Sequence, residues 1–253
     1  PGHRRRGPFA IAGVIAVGIA IVAAALATTS SPATPDGPPY GILRPTDGGT
    51  EITIPALWAG RKSDGSMVGG LEPATIWVGT GATGGFTTDL ASVEAKGGGP
   101  AWLAASASAA VLSTLYAGTD PSAAVVRFGI PGPIDGPSAG GILTVGALAA
   151  RLAVPLDPRV SMTGTISPDG SIGPVAGVPT KIRAAQAAGF TTVVIPLANR
   201  MGYPDGGDTA VDLVDWGRSI GMTVLPVADV GDAFTAFTGR PIIPAAKIGR
   251  AHV

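Results

Sequence analysis

Residues 135–141 read Asp-Gly-Pro-Ser-Ala-Gly-Gly, and an apolar run follows from Ile142 to Leu152. Ser138 to Leu152 has helical spacing, with Ile142, Val145, Leu148, Ala149 and Leu152 on one face. A helix N-terminus accounts for Gly136, Pro137 and a capping Ser138. It does not account for Gly140 and Gly141, because each glycine costs a helix about 1 kcal/mol relative to Ala. Two glycines in a first turn point to the close approach of another backbone or of a substrate. The free N–H groups and positive dipole end of such a turn suit an oxyanion. Ser138 is therefore a candidate nucleophile, with the backbone of Gly136, Pro137, Ala139 and Gly140 around the reacting carbonyl. The segment is not a phosphate-binding loop, since the chain contains no Gly-Lys dipeptide.

Outward from this helix the pattern is α/β. Glu51 to Trp58, Ala74 to Gly79, Asp89 to Lys96, Ala123 to Phe128, Val160 to Ile166, Thr192 to Pro196 and Met222 to Val227 read as strands. Pro100 to Ala117, Val178 to Ala188, Ala210 to Gly221 and Val230 to Thr238 read as helices. Glycine-rich residues 79–85 and Ser167 to Gly170 read as turns. The expected fold class is α/β (α+β), with mixed sheets and packed helices.

Composition removes most chemistries. Lys plus Arg number 17 and Asp plus Glu 17, only 13% of residues are charged, and the one basic run is Arg4-Arg5-Arg6. Nucleic acid is not an expected partner. No cysteine is present, which excludes disulfides, thiolate metal sites and a cysteine nucleophile. The two histidines, His3 and His252, stand at the chain ends, so a Ser-His-Asp triad or a histidine metal site in the folded body is excluded. No cofactor is expected. A serine nucleophile must then take its base from lysine. Of Lys62, Lys96, Lys181 and Lys247, only Lys181 falls on the apolar side of a helix, beside Val178, Ile182, Ala185 and Ala188. Burial there would lower its pKa, as a base requires. A lysine stem snorkelling to solvent is the competing reading.

The residues that carry a family resemblance are DGPSAGG at 135–141, MTGTIS at 162–167, and DGSIGPVAGVPTKIRAAQAAGFTTVVIP at 169–196. Together, at the spacing of 43 residues from Ser138 to Lys181, they resemble the proteolytic domain of Lon proteases, over roughly Thr50 to Thr238. The resemblance implies the fold of that domain, a Ser138–Lys181 dyad, a hydrogen bond from Thr163 to the lysine, and Asp135 lining the site near the dyad. It also implies peptide or unfolded protein substrates and a homo-oligomeric ring. The chain departs from the family in lacking a Walker A motif, in carrying Thr165 where an acidic residue is usual, and in replacing upstream histidines by Arg127 to Gly129. No space is found for the PDZ domain of some exported relatives.

Residues 1–8 form a basic flank before Phe9 to Ala27, a stretch of 19 residues without a charge. That length spans about 30 Å of hydrocarbon as a helix, and the arginines place the flank in the cytoplasm. A transmembrane anchor and a signal peptide cleaved after Ala27 both export the remainder; the length of the stretch favours the anchor. Residues 28–49 read as a Pro/Gly/Ser/Thr-rich linker and residues 50–240 as the peptidase domain. Pro1 in place of Met leads us to expect an incomplete or processed N-terminus. Residues 248–253 (IGRAHV) match a translated sequencing adapter, and we expect a non-native tail. The expected function is an ATP-independent, extracytoplasmic serine endopeptidase. The alternative is a catalytically inactive scaffold or binding module of the same fold at the membrane.

Overall fold

The computed structural model describes residues 40–81 and 86–242. The strands are β1 (Leu43–Thr46), β2 (Gly49–Arg61), β3 (Met67–Thr80), β4 (Thr87–Asp89), β5 (Ala124–Gly129), β6 (Val160–Met162), β7 (Thr165–Ile166), β8 (Ile172–Gly173), β9 (Thr192–Pro196), β10 (Met201–Gly202), β11 (Val211–Asp212) and β12 (Thr223–Val227). The helices are α1 (Ala91–Ala95), α2 (Pro100–Tyr116), α3 (Gly140–Leu152), α4 (Val178–Ala187), α5 (Leu213–Ser219) and α6 (Val230–Thr238).

The longest pairing is the β2–β3 hairpin, antiparallel from Gly49↔Gly79 to Arg61↔Met67. It lies within an eight-stranded mixed sheet of order β12-β9-β6-β2-β3-β5-β4, with β1 added to β2. Side chains alternate across a strand, so the sheet has two apolar faces. Ile52, Ile54 and Ala56 of β2, with Ala74, Ile76 and Val78 of β3, join the layer built from α2, α3 and α6. Leu57 and its cross-strand partner Leu71 join the other layer, with Val178, Ile182 and Ala185 of α4 and Leu213 of α5. Helices α3 and α4 therefore lie on opposite faces.

Several boundaries differ from expectation, each for a local reason. Of the strand expected at 89–96 only Asp89 pairs, as the last residue of β4; its carboxylate then accepts from Ser92 N at 3.1 Å and Ser92 Oγ at 2.6 Å, which starts α1. The strand expected at 160–166 breaks into β6 and β7, because Thr163 and Gly164 turn away to contact the Ser138 turn. The helix expected from Ala210 begins at Leu213, where Asp212 accepts from Val214 N at 2.8 Å. Residues expected as linker up to Gly49 include β1, which pairs with β2, and Tyr40, whose ring packs 5.8 Å from that of Phe190. The expected anchor at 9–27 and tail at 248–253, and part of the turn at 79–85, lie outside the described residues. Among the described residues no helix is long and apolar enough to cross a membrane.

Candidate active site

The Asp135–Gly141 segment folds as a 3-10 turn, Pro137–Ala139, running directly into α3. Gly136 enters it at φ 110°, a backbone conformation that an L side chain adopts only under strain. Ser138 does not cap the helix, contrary to expectation: it lies inside the turn and its hydroxyl makes no capping bond. Its side chain has no hydrogen-bond partner among the described residues. Of the two reasons expected for the glycines, the approach of another chain segment is the one seen. A Cβ on Gly140 would stand 2.6 Å from Ile166 Cγ2 and 3.0 Å from Ile166 N, and one on Gly141 would collide with Met162 Cε. They let α3 pack against the β6–β7 segment. Of the four residues expected around the oxyanion, Pro137 has no N–H, and the Gly140 N–H is taken by the Pro137 carbonyl.

That packing brings in the second part of the site. Just past β6, Thr163, whose N–H still donates to Val194 O of β9 at 3.1 Å, and Gly164 grip the Ser138 carbonyl together: Gly164 N donates to it at 2.8 Å and Thr163 Oγ1 at 3.2 Å. Gly164 is a positioning group that the sequence reading missed; its glycine, flanked by Thr163 and Thr165 in the Met-Thr-Gly run, was the available signal.

From the opposite face, α4 inserts Lys181. Its side chain is buried, 3% exposed, and Nζ donates to Thr163 Oγ1 at 3.0 Å. Thr163 thus accepts from the amine and donates to the backbone of Ser138. Burial among apolar neighbours disfavours the ammonium and pulls the Lys181 pKa down to about 8. No carboxylate opposes that shift. Asp135, expected to line the site near the dyad, has its Oδ1 accepting from Ala101 N at 3.1 Å and Trp102 N at 3.2 Å, capping the N-terminus of α2. No direct hydrogen bond joins Ser138 to Lys181 among the described residues.

One wall of the site is the outer half of β2. Strand β6 pairs with β2 only at Ala56↔Met162. Beyond it, along Leu57 to Arg61, that edge of β2 carries no paired strand among the described residues.

Residues 126–207 match the Lon protease (S16) C-terminal proteolytic domain, a span that contains Ser138, Thr163 and Lys181. The chain is 42% identical over 92 residues to Lon protease 2 of Bacillus subtilis, covering 36% of this chain and 16% of that protein. It is 36% identical over 104 residues to Lon protease of Mycolicibacterium smegmatis, covering 41% of this chain and 12% of that protein. With Lon protease of Salinispora arenicola it shares 39% identity over 110 residues, 43% of this chain and 13% of that protein. The chain thus spans a small part of the length of these relatives.

Proposed function

We propose that this domain is a serine endopeptidase in which Lys181 is the base and Ser138 the nucleophile. The observation that carries the reading is the state of Lys181: buried, without a carboxylate, its pKa near 8, and hydrogen-bonded to the hydroxyl that also holds Ser138 in place. The neutral amine keeps one N–H on Thr163, which leaves its lone pair for the Ser138 proton. Ser138 Oγ adds to a peptide carbonyl. The first N–H groups of a helical turn have no partner within it, so the Ser138 N–H holds the developing oxyanion. The C–N bond then breaks, and the Lys181 ammonium gives its proton to the leaving amine. Water attacks the acyl ester with Lys181 again as base, which releases the acid and restores the serine.

The unpaired edge of β2 supports an extended polypeptide as substrate, since a strand laid there satisfies backbone groups that are otherwise open. Cleavage without ATP is part of the proposal, since Ser138, Thr163 and Lys181 lie within one described domain and the steps above use no nucleotide. The uncharged stretch Phe9 to Ala27 behind three arginines supports a membrane-anchored, extracytoplasmic domain. The decisive experiment incubates the full chain in detergent with an unfolded protein, with and without ATP, beside Ser138→Ala. Equal cleavage in both conditions and none by the variant is the expected result. Undiminished cleavage by Ser138→Ala would overturn the assignment.

A further inference from the structure

Across β6, β2 and β3, the residues Met162, Ala56 and Glu72 stand in one row. Met162 and Ala56 face the α3 layer, so the register puts the Glu72 side chain on that face as well. The row runs beneath the start of α3. A Cβ on Gly141 would collide with Met162 Cε, and Thr163, the residue after Met162, holds the Ser138 carbonyl. Glu72 therefore lies on the α3 side of the sheet, two strands across from the residue next to Thr163. It is half-buried, and among the described residues it has neither a hydrogen bond nor a cation beside it. Partial burial alone pushes its carboxyl up from the usual range. None of the catalytic steps above uses it.

Its neighbour on that face is aromatic. Trp58 is half-buried and pairs with Gly70, two residues from Glu72 along β3; such diagonal positions are within reach of long side chains. A Cβ on Gly70 would stand 2.6 Å from Trp58 Cζ2 and 2.8 Å from Cε2, so the indole lies across the glycine. The other face of the same sheet shows what an indole placed in this way holds. Trp77 lies across Gly49 and Gly79, where a Cβ would collide with its ring, and the Arg127 guanidinium stands over it, 4.5 Å from the ring centroid. Asp89 is the neighbour of Arg127 on β4 and feels its charge. Trp58 and Glu72 repeat the indole and the carboxylate, without an arginine between them among the described residues. We infer that Trp58 and Glu72 form a specificity site for a basic side chain of the polypeptide, Arg above all, close to the bond that is cut. The inference rests on the peptidase reading. A substrate strand laid along Leu57 to Arg61 sends every second side chain to this face, and the small side chain of Ala56 leaves a path across β2. The guanidinium then stacks on the indole and donates to the Glu72 carboxylate.

The test uses the full chain carrying Ser138→Ala, in detergent, with fluorescein-labelled peptides of Ala and Leu followed by anisotropy. A single Arg is moved through each position of the peptide in turn, with Gln and Glu in its place as comparisons. At one position Arg should bind about tenfold more tightly than Gln, as a charge-assisted pair requires. Glu72→Gln should abolish that preference, and Glu72→Lys should turn it toward Glu. Trp58→Leu should weaken the Arg peptide and leave the Gln peptide unchanged. Far-ultraviolet circular dichroism verifies that each variant is folded, and Glu72→Gln, which keeps the shape of the side chain, decides the matter should a bulkier change unfold the chain. An Arg preference that is absent, equal at every position, or intact in Glu72→Gln overturns the inference. So does a preference that appears only once residues 1–34 are removed, because the chain's own Arg4, Arg5 and Arg6 would then occupy the site. Cleavage by the parent chain is scored separately. A chain that binds Arg peptides through Glu72 but cuts nothing refutes the peptidase reading, whereas one that cuts without the preference refutes the specificity site.

Discussion

Lys181, the base of the proposed reaction, works against the fold. Below pH 8 an unfolded chain holds this proton with a pKa near 10.4, whereas the folded chain holds it with a pKa of about 8. The unfolded state binds more protons in between, so stability rises with pH across that window and the full penalty is present below it. The penalty is roughly 3 kcal/mol at about 1.4 kcal/mol per pKa unit. Lys181→Met, similar in volume and uncharged, should therefore be inactive and melt higher at pH 7, and the gain should vanish toward pH 10. Calorimetry across that range checks it; a lower melting temperature for the variant at pH 7 would show that the amine is a net structural support. The same group sets the rate profile. kcat/KM on a short peptide should rise with pH through about 8 and level off above it, because the neutral amine is the active form. Lys181→Arg should be as inactive as Lys181→Met, since a guanidinium stays protonated.

At the scale of elements, Asp135 and Gly140 separate positioning from contact with substrate. Asp135→Ala removes the acceptor for two N–H groups at the start of α2 and should cost about 1 kcal/mol of stability, with most of the activity retained at low temperature. Asp135→Asn keeps an acceptor and should behave like the parent in a denaturant titration. If Asp135→Asn instead lost activity at unchanged stability, the carboxylate would belong to the reaction after all. Gly140→Ala drives a methyl into Ile166 and should destabilise by about 1–3 kcal/mol while displacing Ser138 from Thr163. A refolded variant with normal kcat would contradict that coupling.

These elements also show what the sequence could and could not tell. The α3 and α4 helices were legible because their apolar spacing is strong, and Lys181 stood out for lying on the buried side of α4. Strand β1 was obscured by proline and glycine around it, and its pairing depends on β2, which no local pattern reveals. Residues 91–95 become helical because Asp89 supplies a cap, overriding a weak alternation. Ser138 reads as a cap or a nucleophile and Gly140 as the approach of another backbone or of a substrate, with nothing local to say which backbone. Their actual surroundings come from β6 and β7, more than twenty residues downstream.

For the whole molecule, Tyr40 packs on Phe190, and among the described residues every element that shapes the site follows it. Removing residues 1–34 should therefore leave a folded, detergent-free domain with the kcat/KM of the full chain on a short peptide. Aggregated or unfolded product would mean that the stretch Phe9 to Ala27 packs on the domain.

The two side chains of the proposed dyad approach from opposite faces of one sheet: the serine on the turn leading into α3, the lysine on α4, with Thr163 passing between them. Neither layer contains both. A nascent chain with only one face covered holds a lysine at its ordinary pKa or a serine with no base, and is chemically silent. In the proposed mechanism, cutting power therefore arises at the last step of assembly, all at once, and is lost with the first layer to come apart. For the proposed peptidase the fold is its own safety catch, protecting neighbouring unfolded copies of the same chain.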